Sequence, residues 1–156
     1  MRLSPHFTLN ELMRSQAAAR HGIDNRPGVR EIESLKGLSA GILEPVRDHF
    51  GRPFSPSSGY RCARLNRLIG GARNSQHMLG EAVDFEIPGV PNLDLALYIR
   101  DNLVFDQLIL EYPVKESADA GWVHCSLRGR GSLKSRDNRG QVMTRTRAGY
   151  RAGLQH

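Results

Sequence analysis

Two histidines and one aspartate have the types and spacing to do chemistry. His77 lies in Ser75-Gln-His-Met-Leu-Gly-Glu-Ala-Val-Asp84, where a glycine-bounded loop leads to a carboxylate set in the apolar pattern Ala82-Val83-Asp84-Phe85. An ionised carboxylate among core residues costs several kcal/mol unless a cation or several donors compensate. A metal ion and an arginine are both adequate partners, and this segment alone does not choose between them. His124 favours the metal. It belongs to Gly121-Trp-Val-His-Cys-Ser-Leu127, where alternation puts Trp122, His124 and Ser126 on one face and Val123, Cys125 and Leu127 on the other, the core face. Two imidazoles and one carboxylate suit Zn²⁺, and three protein ligands leave a fourth tetrahedral position open, the mark of a catalytic zinc site. Cys125 points away from His124 in this pattern and is expected in the core.

Hydrolysis at such a site also needs a group to take a proton from water, and Glu111, Glu116 and Asp119 are the acids placed to do so. The other histidines have plainer readings. His6 and His156 lie near the ends of the chain, and His21 and His49 fall at expected helix C-termini, where an imidazolium meets a favourable dipole. Cys62 and Cys125 are too few and too far apart for a disulfide scaffold or a C-x-x-C motif, and both read as free thiols.

The elements that must position these groups follow from periodicity. Thr8-Leu-Asn-Glu11 has the form of a capping box, so a first helix is expected from about Thr8 to Arg20. Gly22, Asn25, Pro27 and Gly28 break it. Val29, Ile32, Leu35, Leu38, Ile42, Leu43, Val46 and Phe50 then recur at helical spacing, giving a long second helix interrupted or kinked near Pro45. Ala63 to Ile69 reads as a short helix closed by Gly70-Gly71, and Asn92 is placed to cap another that runs through Ile99. Strands are expected at Glu81 to Ile87, Phe105 to Tyr112 and Gly121 to Leu127, the last two joined as a hairpin by the polar loop Pro113 to Ala120. The pattern is an α+β domain: N-terminal helices packed on a small, mainly antiparallel sheet. One domain over residues 1–156 is expected, with a helical part at 1–50, a catalytic core at 53–127 and a basic segment at 128–156.

With 39% apolar and 24% charged residues the chain has globular composition, and no run is long and apolar enough to span a membrane or serve as an export signal. The net charge of +6 is unevenly placed. From Arg128 onward eight basic residues face the single acid Asp137, giving 8 − 1 = +7 and leaving −1 for the rest. Such a segment attracts polyanions in general, whether nucleic acid, anionic lipid or anionic wall material. Nucleic acid is disfavoured, since Tyr150 is the segment's only aromatic for base stacking.

Ser75-x-His77-x-x-Gly80-x-Ala82-x-Asp84 with Trp122-x-His124 resembles the metal signature of the zinc D-alanyl-D-alanine peptidase family, which includes VanX- and VanY-type enzymes and phage endolysins. Ser58-Gly-Tyr-Arg61, Leu65-Asn66 and Gly70-Gly71 extend the resemblance over roughly Pro53 to Leu127, and Phe7-Thr-Leu-Asn-Glu-Leu12 is similar to the phage and prophage branch. The resemblance implies the small α+β fold shared with the Hedgehog signalling domain, and Zn²⁺ on His77, Asp84 and His124. It also implies that Arg61 holds substrate or polarises the scissile carbonyl, and that Ser75 contacts substrate. Trp122 stands where some relatives carry a second histidine and supplies a wall of the substrate site instead.

The sequence departs from the pattern at one important place. The best-known relatives carry an acid three residues before the last histidine, where this chain has Gly121. Glu111 is similar in placement to a glutamate of the Hedgehog domain, on the strand before the final ligand, and is therefore preferred as general base over Glu116 and Asp119. The function implied is hydrolysis of peptidoglycan stem peptides by a phage- or prophage-encoded enzyme, made in the cytoplasm and reaching the wall through a holin or on a virion. The bond is D-Ala-D-Ala, L-Ala-D-Glu or a cross-link. The competing reading is a zinc-containing module that binds wall peptides without hydrolysing them.

Overall fold

The computed structural model of the chain describes residues 1–129 and 138–155. Helix α1 (Leu9–Met13) starts on the expected capping box: the Thr8 side chain accepts the Glu11 N–H, and the Glu11 carboxylate accepts the Thr8 N–H. The expected single helix to Arg20 is instead two. Ser15 leaves the helical conformation and caps α2 (Gln16–Arg20) by accepting the Ala18 N–H, because a serine hydroxyl offers the backbone an alternative to a continuing helix.

The long helix is continuous from α3 (Val29–Leu38) to α4 (Glu44–Phe50), joined by a π turn at Ser39–Leu43. Pro45 has no N–H to return to the preceding turn, and the wider turn just before it, with Glu44 N–H bonded to the Ser39 carbonyl, absorbs that loss without a break. Helix α5 (Ala63–Leu68), a 3₁₀ turn at Gln76–Leu79 and helix α6 (Asn92–Asn102) complete the helical part. Asn92 does not cap α6 as expected. It is buried, and its amide donates to Glu86 and to the Ala120 and Gly121 carbonyls, tying the helix start to the loop before the last ligand strand.

Five strands form one sheet in the order β1-β3-β2-β4-β5: β1 (Ala82–Phe85), β2 (Gln107–Glu111), β3 (Trp122–Ser126), β4 (Gln141–Thr146) and β5 (Gly149–Ala152). All pairings are antiparallel except β2 with β4. The expected α+β class with a mainly antiparallel sheet is present, and β2 and β3 pair as the expected hairpin. One face, carrying Val83, Phe85, Leu108, Leu110, Val123 and Cys125, is fully buried against α6 and the long helix. Cys125 lies in this core, where burial pushes its thiol up, and neither cysteine is in a disulfide. The opposite face carries Asp84, Trp122, His124, Ile109 and Glu111. Ser126 is on that side as expected, yet buried, with its hydroxyl accepting the Gln107 N–H.

The basic segment departs most from expectation. Its charge suggests an extension beyond the core, but Gln141 to Ala152 adds a β-hairpin whose first strand lies beside β2. Arg130, Lys134, Arg136 and Asp137 lie outside the described residues, as does His156. Two of the remaining basic residues are engaged: Arg128 Nε lies 2.9 Å from Asp106 Oδ1, and Arg139 donates to the same carboxylate from Nε, Nη2 and its backbone N–H. Burial tends to raise the Asp106 carboxyl, but these donors hold it below the usual carboxylate range. The cluster fastens Arg128 and Arg139 to the residue just before β2. Because the folded carboxyl is depressed, its contribution to stability is full above its unfolded value and disappears as pH falls through the folded one. Asp106→Asn should therefore lower stability by about 2 kcal/mol at neutral pH, less than for a fully buried pair because Arg139 is half exposed. Urea melts should show that gap closing in acid.

Candidate active site

The metal-binding candidates are held by a short connecting segment before they are held by the sheet. Ser57 and Ser58 pair with Asp84, whose carbonyl accepts both their N–H groups and whose own N–H donates to the Ser58 carbonyl. Tyr60 N–H donates to the Leu12 carbonyl and Arg61 N–H to the His77 carbonyl. This segment thus runs between the end of α1, β1 and the 3₁₀ turn. Gly59 in its middle has no room for a side chain, since a Cβ would sit 2.3 Å from the Leu12 carbonyl oxygen. Its own carbonyl accepts the Nδ1–H of His77 at 2.7 Å. That bond fixes the tautomer and turns Nε2 toward Asp84.

His77 Nε2 then lies 3.4 Å from Asp84 Oδ2, and His124 Nδ1 lies 2.8 Å from Asp84 Oδ1. The three ligand atoms fall within 4.8 Å of one another. Ligand atoms around a tetrahedral zinc are roughly 3.3 Å apart, so small side-chain shifts suffice to close the set on an ion. Burial pulls Asp84 upward, but the two facing imidazoles prevail and hold its carboxyl well below the usual range. Burial is also the main influence on His77 and lowers its affinity for a proton, the direction a ligand requires, against the opposing pull of Asp84. No described arginine or lysine forms an ion pair with Asp84 within 4.0 Å; the charge of Arg61 acts on it only from a longer distance.

Glu111 shares the face of the site. It is the register partner of Trp122, two residues along from the Ile109 and His124 pair. Only 5% of it is exposed, Oε2 has no hydrogen-bond partner, and burial raises its carboxyl above the usual range despite Arg145 and His124 nearby. Gly121, three residues before His124, has no room for a side chain on this path of the chain. Its φ is 74°, and a Cβ at that position would lie 1.8 Å from the Glu111 carbonyl oxygen. Glu116 and Asp119 are exposed on the loop between β2 and β3.

A family model described as Peptidase M15 matches residues 5–126. The chain belongs to the peptidase M15 family. No curated protein sequence matches it. In this M15 peptidase the match stops at the end of β3, so the β4–β5 hairpin lies outside it. Arg61 is half buried, with Nε lacking a hydrogen-bond partner, and its cationic charge is felt at His77. The Ser75 hydroxyl acts locally, accepting the His77 N–H at 3.3 Å and capping the 3₁₀ turn. Trp122 is half-buried, with its ring tilted against Tyr112 at 5.4 Å.

Sequence reasoning missed Tyr112 and Arg145 at the edge of this site. Tyr112 has φ of 51°, and the Arg145 guanidinium lies over its ring and that of Tyr150. The available signal was the pair of β-branched threonines in Val142-Met143-Thr144-Arg145-Thr146 before the glycine turn at Gly149 and Tyr150. If the three ligands hold an ion, zinc at a thousandfold excess over its Kd stabilises the fold by about 4 kcal/mol. Calorimetry should then show a rise in Tm with zinc, reversed by chelator and absent in Asp84→Asn. An unchanged Tm in the wild type would remove the metal reading.

Proposed function

We propose that this chain is a zinc peptidase that hydrolyses peptide bonds of bacterial cell-wall peptides, as a D-Ala-D-Ala carboxypeptidase or as an endopeptidase of stem or cross-link bonds. The observation that carries the reading is a group of three candidate metal ligands, two of them on the same sheet face as a buried glutamate whose Oε2 has no hydrogen-bond partner. Zinc, when bound, supplies Lewis acidity to the scissile carbonyl and the attacking water. Glu111 accepts the proton of that water and returns it to the leaving amine, a role suited to a carboxylate whose affinity for protons is raised by burial. Arg61 stabilises the negative charge that develops on the carbonyl oxygen, with its Nε free to donate. Trp122 walls the substrate channel, and Ser75 keeps the turn that presents His77. The hairpin arginines offer a contact for anionic wall polymers.

Glu111→Gln should cut kcat by roughly 10²- to 10⁴-fold while leaving zinc affinity intact. A base works only when deprotonated, so in the wild type kcat/KM should fall as pH drops through the raised Glu111 value. Full turnover by the variant removes Glu111 as base. The bond itself is identified by digesting purified peptidoglycan and assigning the new termini by mass spectrometry. Binding of wall peptides by the zinc-loaded protein without new termini would establish a binding module instead of an enzyme.

A further inference from the structure

The face that carries the metal ligands continues beyond the strands matched by the family. Across the sheet, Asp84 pairs with His124, His124 with Ile109, Ile109 with Met143 and Met143 with Ala152. In the next row on the same face, Trp122 pairs with Glu111, Glu111 with Arg145 and Arg145 with Tyr150. Residues opposed across a ladder share a face, so the C-terminal hairpin extends the floor of the site and puts a cation on it.

That cation is fixed but not consumed. The Arg145 guanidinium carbon lies 5.3 Å from the Tyr112 ring centre and 5.2 Å from that of Tyr150, so two aromatic faces orient the group. Its nearest acid is Glu111, with Nη1 and Oε2 3.7 Å apart, longer than a hydrogen bond. The Arg145 side chain is 40% exposed against 7% for Glu111, so its donors are open on the solvent side. At this separation the fork of the guanidinium is not closed on Glu111 and is available to a planar anion.

We propose that Arg145 is a specificity-determining residue that binds a carboxylate of the substrate peptide on the β4 side of the metal centre. The inference rests on the peptidase reading above. Adjacent strands are about 4.8 Å apart, which places a guanidinium leaning over β2 roughly 5–10 Å from the His124 strand. An extended peptide advances about 3.5 Å per residue, so the carboxylate bound belongs to a residue one or two positions from the scissile bond. It is a free C-terminus in a carboxypeptidase substrate or an acidic residue's carboxylate in an endopeptidase substrate, and both present the same planar anion.

The test compares Arg145→Gln and Arg145→Lys with the wild type on synthetic stem peptides in matched pairs, C-terminal acid against amide and acidic side chain against its amide. Arg145→Gln should raise KM roughly 10- to 100-fold for the peptide carrying the recognised carboxylate, with kcat within a few-fold. The loss should vanish for its amide partner, and Arg145→Lys should recover part of it. Whichever pair responds identifies the source of the carboxylate. Equal losses on acid and amide peptides, or a fall in kcat at constant KM, would show that Arg145 serves only to place Glu111 and would overturn the proposal. Trp122, the only tryptophan, gives a second readout through fluorescence titration of metal-free protein with the same peptides. If the wild type cleaves none of them, the peptidase reading falls. The carboxylate preference is then decided by whether Arg145→Gln abolishes it in the titration.

Discussion

Asp84 keeps its charge beside the fully buried Val83 and Phe85 because an imidazole faces each of its oxygens. Most of the surrounding architecture serves that contact. The antiparallel pairing of β1 with β3 sets His124 directly across from Asp84. Gly80, at φ of 68° and with a Cβ position 2.5 Å from the Glu31 carbonyl oxygen, turns the chain sharply enough for His77 to fold back toward the same carboxylate. The Gly59 carbonyl then accepts a hydrogen bond from His77 Nδ1. A cation binding between the two rings would compensate the burial of this carboxylate.

The grouping of His77, Asp84 and His124 is legible in the sequence because it leaves an uncommon pattern: a carboxylate in an apolar strand and a histidine on the polar face of another. The α+β class follows from equally local signals, the Thr8 capping box and the period-two strands around Asp84 and His124. What is not legible depends on pairing at long range. The split at Ser15 is a contest between a serine cap and a continuing helix, and no periodicity decides it. The C-terminal hairpin is obscured by its charge: Arg139, Arg145, Arg147 and Arg151 have the pattern of a solvated tail, although Thr144 between them is 1% exposed and lies beside Leu110. Arg128 and Arg139 look like free cations until the fold brings a buried acid, Asp106, to both. Resemblance makes the Ser75 hydroxyl a substrate contact, and its bond to the His77 N–H shows how the same residue shapes the turn.

The hairpin also changes the character of the site. Strands β1, β3 and β2 alone leave Glu111 at a sheet edge, whereas β4 covers that edge in parallel register and places Arg145 beside it. An edge carboxylate is solvated and ordinary; a covered one is desolvated, and its basicity follows from that. The segment outside the family match thus tunes the residue on which hydrolysis is proposed to depend.

Gly121 also limits what this site can be rebuilt into. A side chain at that position collides with the Glu111 backbone, so the present path of the loop between β2 and β3 admits only glycine there. An acid at position 121 and this loop path therefore exclude each other.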